Sequence, residues 1–146
     1  MPKTGVHKDF HGAFSFGLIH LEEHYGAEAV RDYLRQMAPR VFGPLIEAIR
    51  TEGLSALEAH WRHIMELEEA DYELRWDGNT LILEVRVCPA LEHIRSVGYP
   101  ESPMFCEHTC IVNSVICEAA GFETETDYDQ AAAHCVQRFR PKGGAR

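Results

Sequence analysis

Five cysteines and nine histidines carry most of the chemistry available to this chain of 146 residues. Cys88, Cys106, Cys110, Cys117 and Cys135 all fall after residue 87. An odd number of thiols gathered in one part of a chain is a poor disulfide framework, which leaves packing, metal binding or catalysis. Cys106, Cys110, Asn113 and Cys117 recur at i, i+4, i+7 and i+11 and would share one face of a helix. Thiols four apart can address one ion or one substrate. Near a helix start, free N–H groups and the dipole favour the thiolate, which is the nucleophilic form. The same pattern also suits small sulfur side chains filling a helix–sheet interface, because free cysteine is among the most buried residue types. Both readings stand for this stripe.

Cys88 ends an alternating apolar stretch and precedes Pro89, and strand ends that feed loops often carry functional side chains. His93 follows it by about one helical turn, and His108 lies between the paired cysteines. A set of Cys88, Cys106, Cys110 and one histidine would suit zinc in its soft ligand character, although the spacing matches no standard zinc motif. A second pattern, His20-Leu21-Glu22-Glu23-His24, has the letters of the H-x-x-E-H metalloprotease motif. A solvated helix face with Tyr25 packed alongside accounts for it equally. His60 and His63, which flank Trp61 and Arg62, are one turn apart and could border a pocket or sit on the surface.

These residues must be positioned by elements that the hydrophobic pattern outlines. Phe10, Phe14, Leu18 and Leu21 predict a first helix stopped at Gly26, and a second runs from Ala27 to about Met37. Pro39 is expected to start a third helix carrying Val41, Leu45 and Ile49, ended by Gly53. Ser55 with Glu58 reads as a capping box opening a helix to Glu69, with Leu57, Trp61, Ile64 and Glu68 on one stripe. From Asp71 the period becomes two. Tyr72, Leu74 and Trp76 form one strand, Asp77-Gly78 a hairpin turn, and Leu81, Leu83, Val85 and Val87 the return. A short helix over 91–97, a long one over 105–120 and strands over 122–128 and 133–140 complete the chain. The expectation is a single α+β domain over 1–140, with N-terminal helices packed on an antiparallel sheet of two hairpins and a long helix between them. Residues 141–146 read as a disordered tail.

Bulk properties narrow the function classes. A formal net charge of −9 and a pI near 5.4 make a phosphate backbone a poor partner. No apolar run approaches the ~20 residues of a membrane helix, and Met1 to His11 has no signal-peptide core. A cytoplasmic protein without nucleic-acid or membrane partners is the expectation.

The region from Cys88 onward carries a family likeness. Cys88-Pro89, His93, Gly98-Tyr99-Pro100-Glu101, Phe105-Cys106, Gly121, a Thr-rich strand and Cys135-Val136-Gln137-Arg138-Phe139 resemble the L-2-amino-thiazoline-4-carboxylic acid hydrolase family. The outline is similar to the broader 4-vinyl reductase-like and Golgi-transport ligand-binding fold. The resemblance implies a helix-and-sheet fold, often dimeric, that hydrolyses a cyclic amidine-like thiazoline to N-carbamoyl-L-cysteine. It carries over best at Cys88 and Cys106, then at Cys135. The family places an acidic residue shortly after the helix cysteine, whereas this chain has Glu107 at once and then His108, Thr109 and Cys110. His108 could serve as the base instead. On this reading Cys106, Cys88, His108 and Cys110 are the candidate catalytic residues. His93, Arg86 and Arg138 are candidate substrate contacts, the arginines for a carboxylate, with Arg140 a further such cation. No cofactor is required beyond a possible zinc, and a homodimer is expected. A ligand- or metal-binding regulatory module, or a domain whose cysteines only pack, are the alternatives.

Overall fold

The computed structural model describes residues 7–143. Four helices come first: α1 (Asp9–Tyr25), α2 (Ala27–Val41), α3 (Gly43–Glu52) and α4 (Leu54–Leu67). A hairpin of β1 (Asp71–Asp77) and β2 (Thr80–Val87) follows, then α5 (Pro89–Val97), α6 (Phe105–Ala120) and a second hairpin of β3 (Phe122–Asp129) and β4 (His134–Pro141). The four antiparallel strands lie in the order β1-β2-β4-β3, so the two hairpins join through β2 and β4. This is the expected α+β architecture, with the N-terminal helices packed against the sheet. Among the described residues no helix is long and apolar enough to cross a membrane.

Strand alternation assigns the two sheet faces. Tyr72, Leu74 and Trp76 pair with Val85, Leu83 and Leu81, and Leu81, Leu83 and Phe139 are fully buried beneath the helices. The intervening Glu73, Arg75, Glu84, Arg86, Arg138 and Arg140 take the other face. Gly78 opens the first hairpin with φ 60°, while Asn79 keeps a negative φ, the signature of a type II′ turn. Leu18, Val30, Leu34, Ile49 and Leu57 supply the helical half of the core.

Two helix boundaries differ from expectation. Pro39 lies inside α2, near its end, and Pro44 sits in the first turn of α3. A proline two residues from a helix end removes a single ladder bond, and Ala38, fully buried one position earlier, keeps that turn packed. The capping box is not formed either: α4 begins at Leu54, and the Ser55 hydroxyl donates back to the carbonyl of Glu52. The expected tail begins as structure, since Pro141 ends β4. Residues 144–146, like residues 1–6 of the leader reading, lie outside the described residues.

Candidate functional site

A cavity of about 470 Å³ lies between the helices and the inner face of the sheet. Its sheet wall is Val85, Cys135, Gln137 and Thr126, which occupy the inward positions of β2, β4 and β3. The starts of α5 and α6 close one side, with Cys88 as the residue capping α5 and Phe105, Cys106 and His108 in the first turn of α6. Phe14 of α1 and Met37 of α2 add apolar surface, and α4 with the residue capping its C-terminus contributes Trp61, Ile64, Met65 and Glu68 at i, i+3, i+4 and i+7. The volume is that of a small-molecule site.

The structure therefore brings Cys88, Cys106, His108 and Cys135 to the wall of one cavity. The return of the chain is fixed by a network around Gly98–Glu101. Ser15 donates to the carbonyl of Pro100 at 2.8 Å and accepts from the amide of Ser102 at 2.8 Å. Tyr99 covers Gly12 so closely that a Cβ there would meet the ring at 2.4 Å. Gln130, in the β3–β4 turn, donates to Glu101 and to the carbonyl of Ser102 and accepts from the amide of Cys106 at 3.2 Å. Arg95 clasps Glu101 and the carbonyls of Gln130 and Ala131. The Gly-Tyr-Pro-Glu loop is thus a strut that positions Cys106, and it does not line the cavity.

The electrostatics overturn one expectation. Burial raises the Cys106 thiol to about 12, with Cys88 and Cys135 adding to the effect, so the helix start does not yield a thiolate. Burial also raises Cys88 and Cys135. His108 is lowered to about 4 by burial, against the opposing effect of the Phe105 carbonyl that its Nδ1 contacts. The ring is neutral and edge-on to Phe14 and Phe105. With Nδ1–H donating to a carbonyl, Nε2 is left as an acceptor.

Other expected site residues lie elsewhere. Cys110 is half-buried outside the cavity, raised by burial and then by Glu107 and Asp127. Asn113 bonds Gln137 in the core and Cys117 is fully buried, so the lower part of the stripe is packing. His93 bonds Asp9 at 2.8 Å and ties α5 to α1. Arg86 bonds Asp71 at 3.1 Å and Arg138 bonds Asp127 at 2.8 Å on the outer sheet face. Both alternate with inward residues, and that parity turns them from the cavity. Arg140, which bonds Glu123, shares that face. His20 and His24 stack at 4.1 Å on an exposed side of α1, with His24 bonded to the carbonyl of His20. His60 rests against the Phe42 ring. Among the described residues no group of three or more His, Cys, Asp or Glu is placed to hold a metal ion. Zinc therefore has no assembled ligand set here.

One buried polar pair at the cavity lies outside the sequence reading. His11 donates to Glu68 at 2.5 Å across the cavity wall, and both side chains are nearly buried, at 11% and 9% exposed. The clue was the presence of a glutamate on the apolar stripe of α4; its partner 57 residues earlier could not be read locally. Two buried polar side-chain atoms among the described residues lack a hydrogen-bond partner, Trp61 Nε1 and Thr126 Oγ1, and both residues line the cavity. Comparison with protein-family models, curated proteins and solved structures found no match.

Proposed function

We propose that the protein holds a compact, mainly apolar small molecule in the cavity between its helices and sheet. The observation that carries this reading is the cavity itself, a preformed space of about 470 Å³ in which protonated thiols and a neutral histidine accompany aromatic and aliphatic walls. Interiors normally pack with few voids larger than a water molecule, so a space of this size with converging polar groups favours a ligand. The direct test is saturable binding of the uncharged dye Nile red, followed by its fluorescence. One site per chain is expected, weakened at least about tenfold by Val112→Trp, which fills the cavity from α6. Partitioning that never saturates, or an undisturbed site in a correctly folded Val112→Trp variant, would refute it.

The His11–Glu68 pair favours a second reading, in which the bound molecule is hydrolysed, as the likeness to thiazoline hydrolases implies. A carboxylate that fixes a histidine by hydrogen bonding is the standard way to orient a general base. In ring opening, water attacks the carbon between sulfur and nitrogen while His11 takes a proton. The C–S bond breaks, the water oxygen becomes the urea oxygen, and the two water protons end on the ring nitrogen and the departing sulfur. Neutral His108 would hold the ring in place, and the thiols would line the site without attacking. Release of free thiol from an aminothiazoline, lost in His11→Ala while Nile red binding persists, is the expected result. Turnover unchanged in His11→Ala would remove this chemistry.

A further inference from the structure

We infer that the cavity captures an uncharged organoarsenic(III) compound, an arsonous acid carrying an aryl or alkyl group, by bonding its arsenic to the sulfurs of Cys88 and Cys106. The inference rests on the small-ligand reading and names a ligand class for that site. Both cysteines line the cavity, and neither is fully enclosed. They come from different elements and are fixed against one short segment, residues 130–133. The amide of Cys88 donates to the carbonyl of Ala133 at 2.7 Å, and the amide of Cys106 donates to the Gln130 side chain at 3.2 Å. Each sulfur is a single torsion away from its backbone, so anchoring both amides holds the two thiols near one another. Their proximity is also felt electrically: after burial, Cys88 is the strongest influence opposing ionisation of Cys106, ahead of Cys135.

The enclosure decides which thiol-seeking group fits. Burial raises both thiols, so at neutral pH each keeps its proton. A copper(I) ion held by two thiolates would leave a net negative charge among Phe14, Met37, Ile64 and Val112, which is costly in such surroundings. A zinc ion would need further ligands to complete a tetrahedron, and among the described residues no group of three is assembled. An arsonous acid meets both constraints, because it needs two sulfurs and its product is neutral. In the exchange two As–O bonds break and two As–S bonds form. Each departing hydroxide takes one thiol proton and leaves as water, and arsenic stays trivalent throughout. A protonated thiol therefore suffices, and no oxidant or reductant is consumed. The organic group remains on arsenic and occupies the apolar part of the cavity, whose volume is about 470 Å³. Once one sulfur is bound the second bond is intramolecular, so the pair holds far more tightly than either thiol alone.

The test adds phenylarsine oxide, which hydrates to phenylarsonous acid, to the reduced whole chain and follows intact mass and Nile red displacement. One phenylarsenic group per chain is expected, retained against excess mercaptoethanol, stripped by the dithiol dimercaptopropanol and displacing the dye. Cys88→Ser and Cys106→Ser should each weaken capture at least about tenfold, whereas Cys110→Ser, outside the cavity, should leave it unchanged. Release by mercaptoethanol as readily as by the dithiol would overturn the inference, since it indicates attachment through one sulfur. So would capture that leaves Nile red in place, or that persists undiminished in a folded Cys88→Ser or Cys106→Ser chain. The release and displacement measurements use the unsubstituted protein and hold even where a serine variant fails to fold. Saturable Nile red binding without arsenical capture would overturn the inference and leave the cavity a binding site. Failure of Nile red to bind, whatever the arsenical does, would overturn the ligand-binding reading and this inference with it.

Discussion

The two faces of the sheet treat polar groups in opposite ways. On the outer face, cation and carboxylate alternate and each arginine finds a partner: Arg75 with Glu73, Arg86 with Asp71, Arg138 with Asp127 and Arg140 with Glu123. All of these pairs are open to solvent, where charge is well hydrated and pairing adds little. On the inner side, around the cavity, the ionisable groups among the described residues are few and held neutral or paired, and Trp61 of α4 and Thr126 of β3 each keep a buried polar atom without a partner. The contrast separates a sheet face whose charges pair with one another in water from one whose polar groups are enclosed among apolar side chains. It also explains why arginines that look suited to a substrate carboxylate do not line the cavity.

The sharpest test of the inner face is thiol reactivity. An ordinary cysteine titrates near 8.5, and Cys106 is raised to about 12 by burial and by Cys88 and Cys135. At neutral pH its thiolate is therefore about three thousandfold scarcer than that of a free cysteine. Peptide-resolved labelling with iodoacetamide should show Cys106 reacting far more slowly than free cysteine at pH 7, with a rate that climbs steadily through alkaline pH. A plateau near neutrality would reveal an activated thiolate and restore Cys106 as a nucleophile.

His108 gives the next effect, through the pH dependence of stability. Its folded value is about 4, against about 6.5 when unfolded, so between these values the unfolded chain binds more protons. The contribution is complete above about pH 6.5 and declines as pH falls toward 4. It amounts to about 3 kcal/mol at most. Urea unfolding between pH 4 and pH 7 should show a steeper acid loss in the wild type than in His108→Phe, whose ring can occupy the same space between Phe14 and Phe105. Identical slopes would mean that the ring is solvated.

Periodicity made the architecture legible. The α1 spacing of Phe10, Phe14 and Leu18, the Asp77-Gly78 turn and the Gly121 stop of α6 are local signals, and each element formed where those signals lie. Boundaries governed by packing were not legible: Pro39 stays helical beside buried Ala38, and Ser55 caps nothing. For the site, Cys88 and Cys106 were readable as the ends of elements that a short connection could bring together. Cys135 was visible only through the family likeness. The His11–Glu68 bond joins α1 to the end of α4, and Ser15 anchors a loop 85 residues away. Contacts at such separations depend on how helices cross, which spacing within one helix does not encode. The raised Cys106 thiol was misjudged for a related reason: a helix start favours the thiolate only while the group remains solvated.

The smallest effects belong to the outer face. Arg86→Ala removes an exposed pair with Asp71 and should leave stability within the scatter of an unfolding measurement. Arg138→Ala should cost slightly more, about 0.5 kcal/mol, because Arg138 pairs across the strands with Ile82, an outward-facing residue that is nevertheless only 7% exposed. The aliphatic stem is a natural cover for that isoleucine, so Arg138→Met should recover the loss although it lacks the charge. Neither alanine variant should change the affinity for Nile red, since neither arginine lines the cavity. A tenfold weakening in either would mean that an outer cation reaches the ligand around the sheet edge. The division between a charge-paired outer face and an enclosed cavity would then fail.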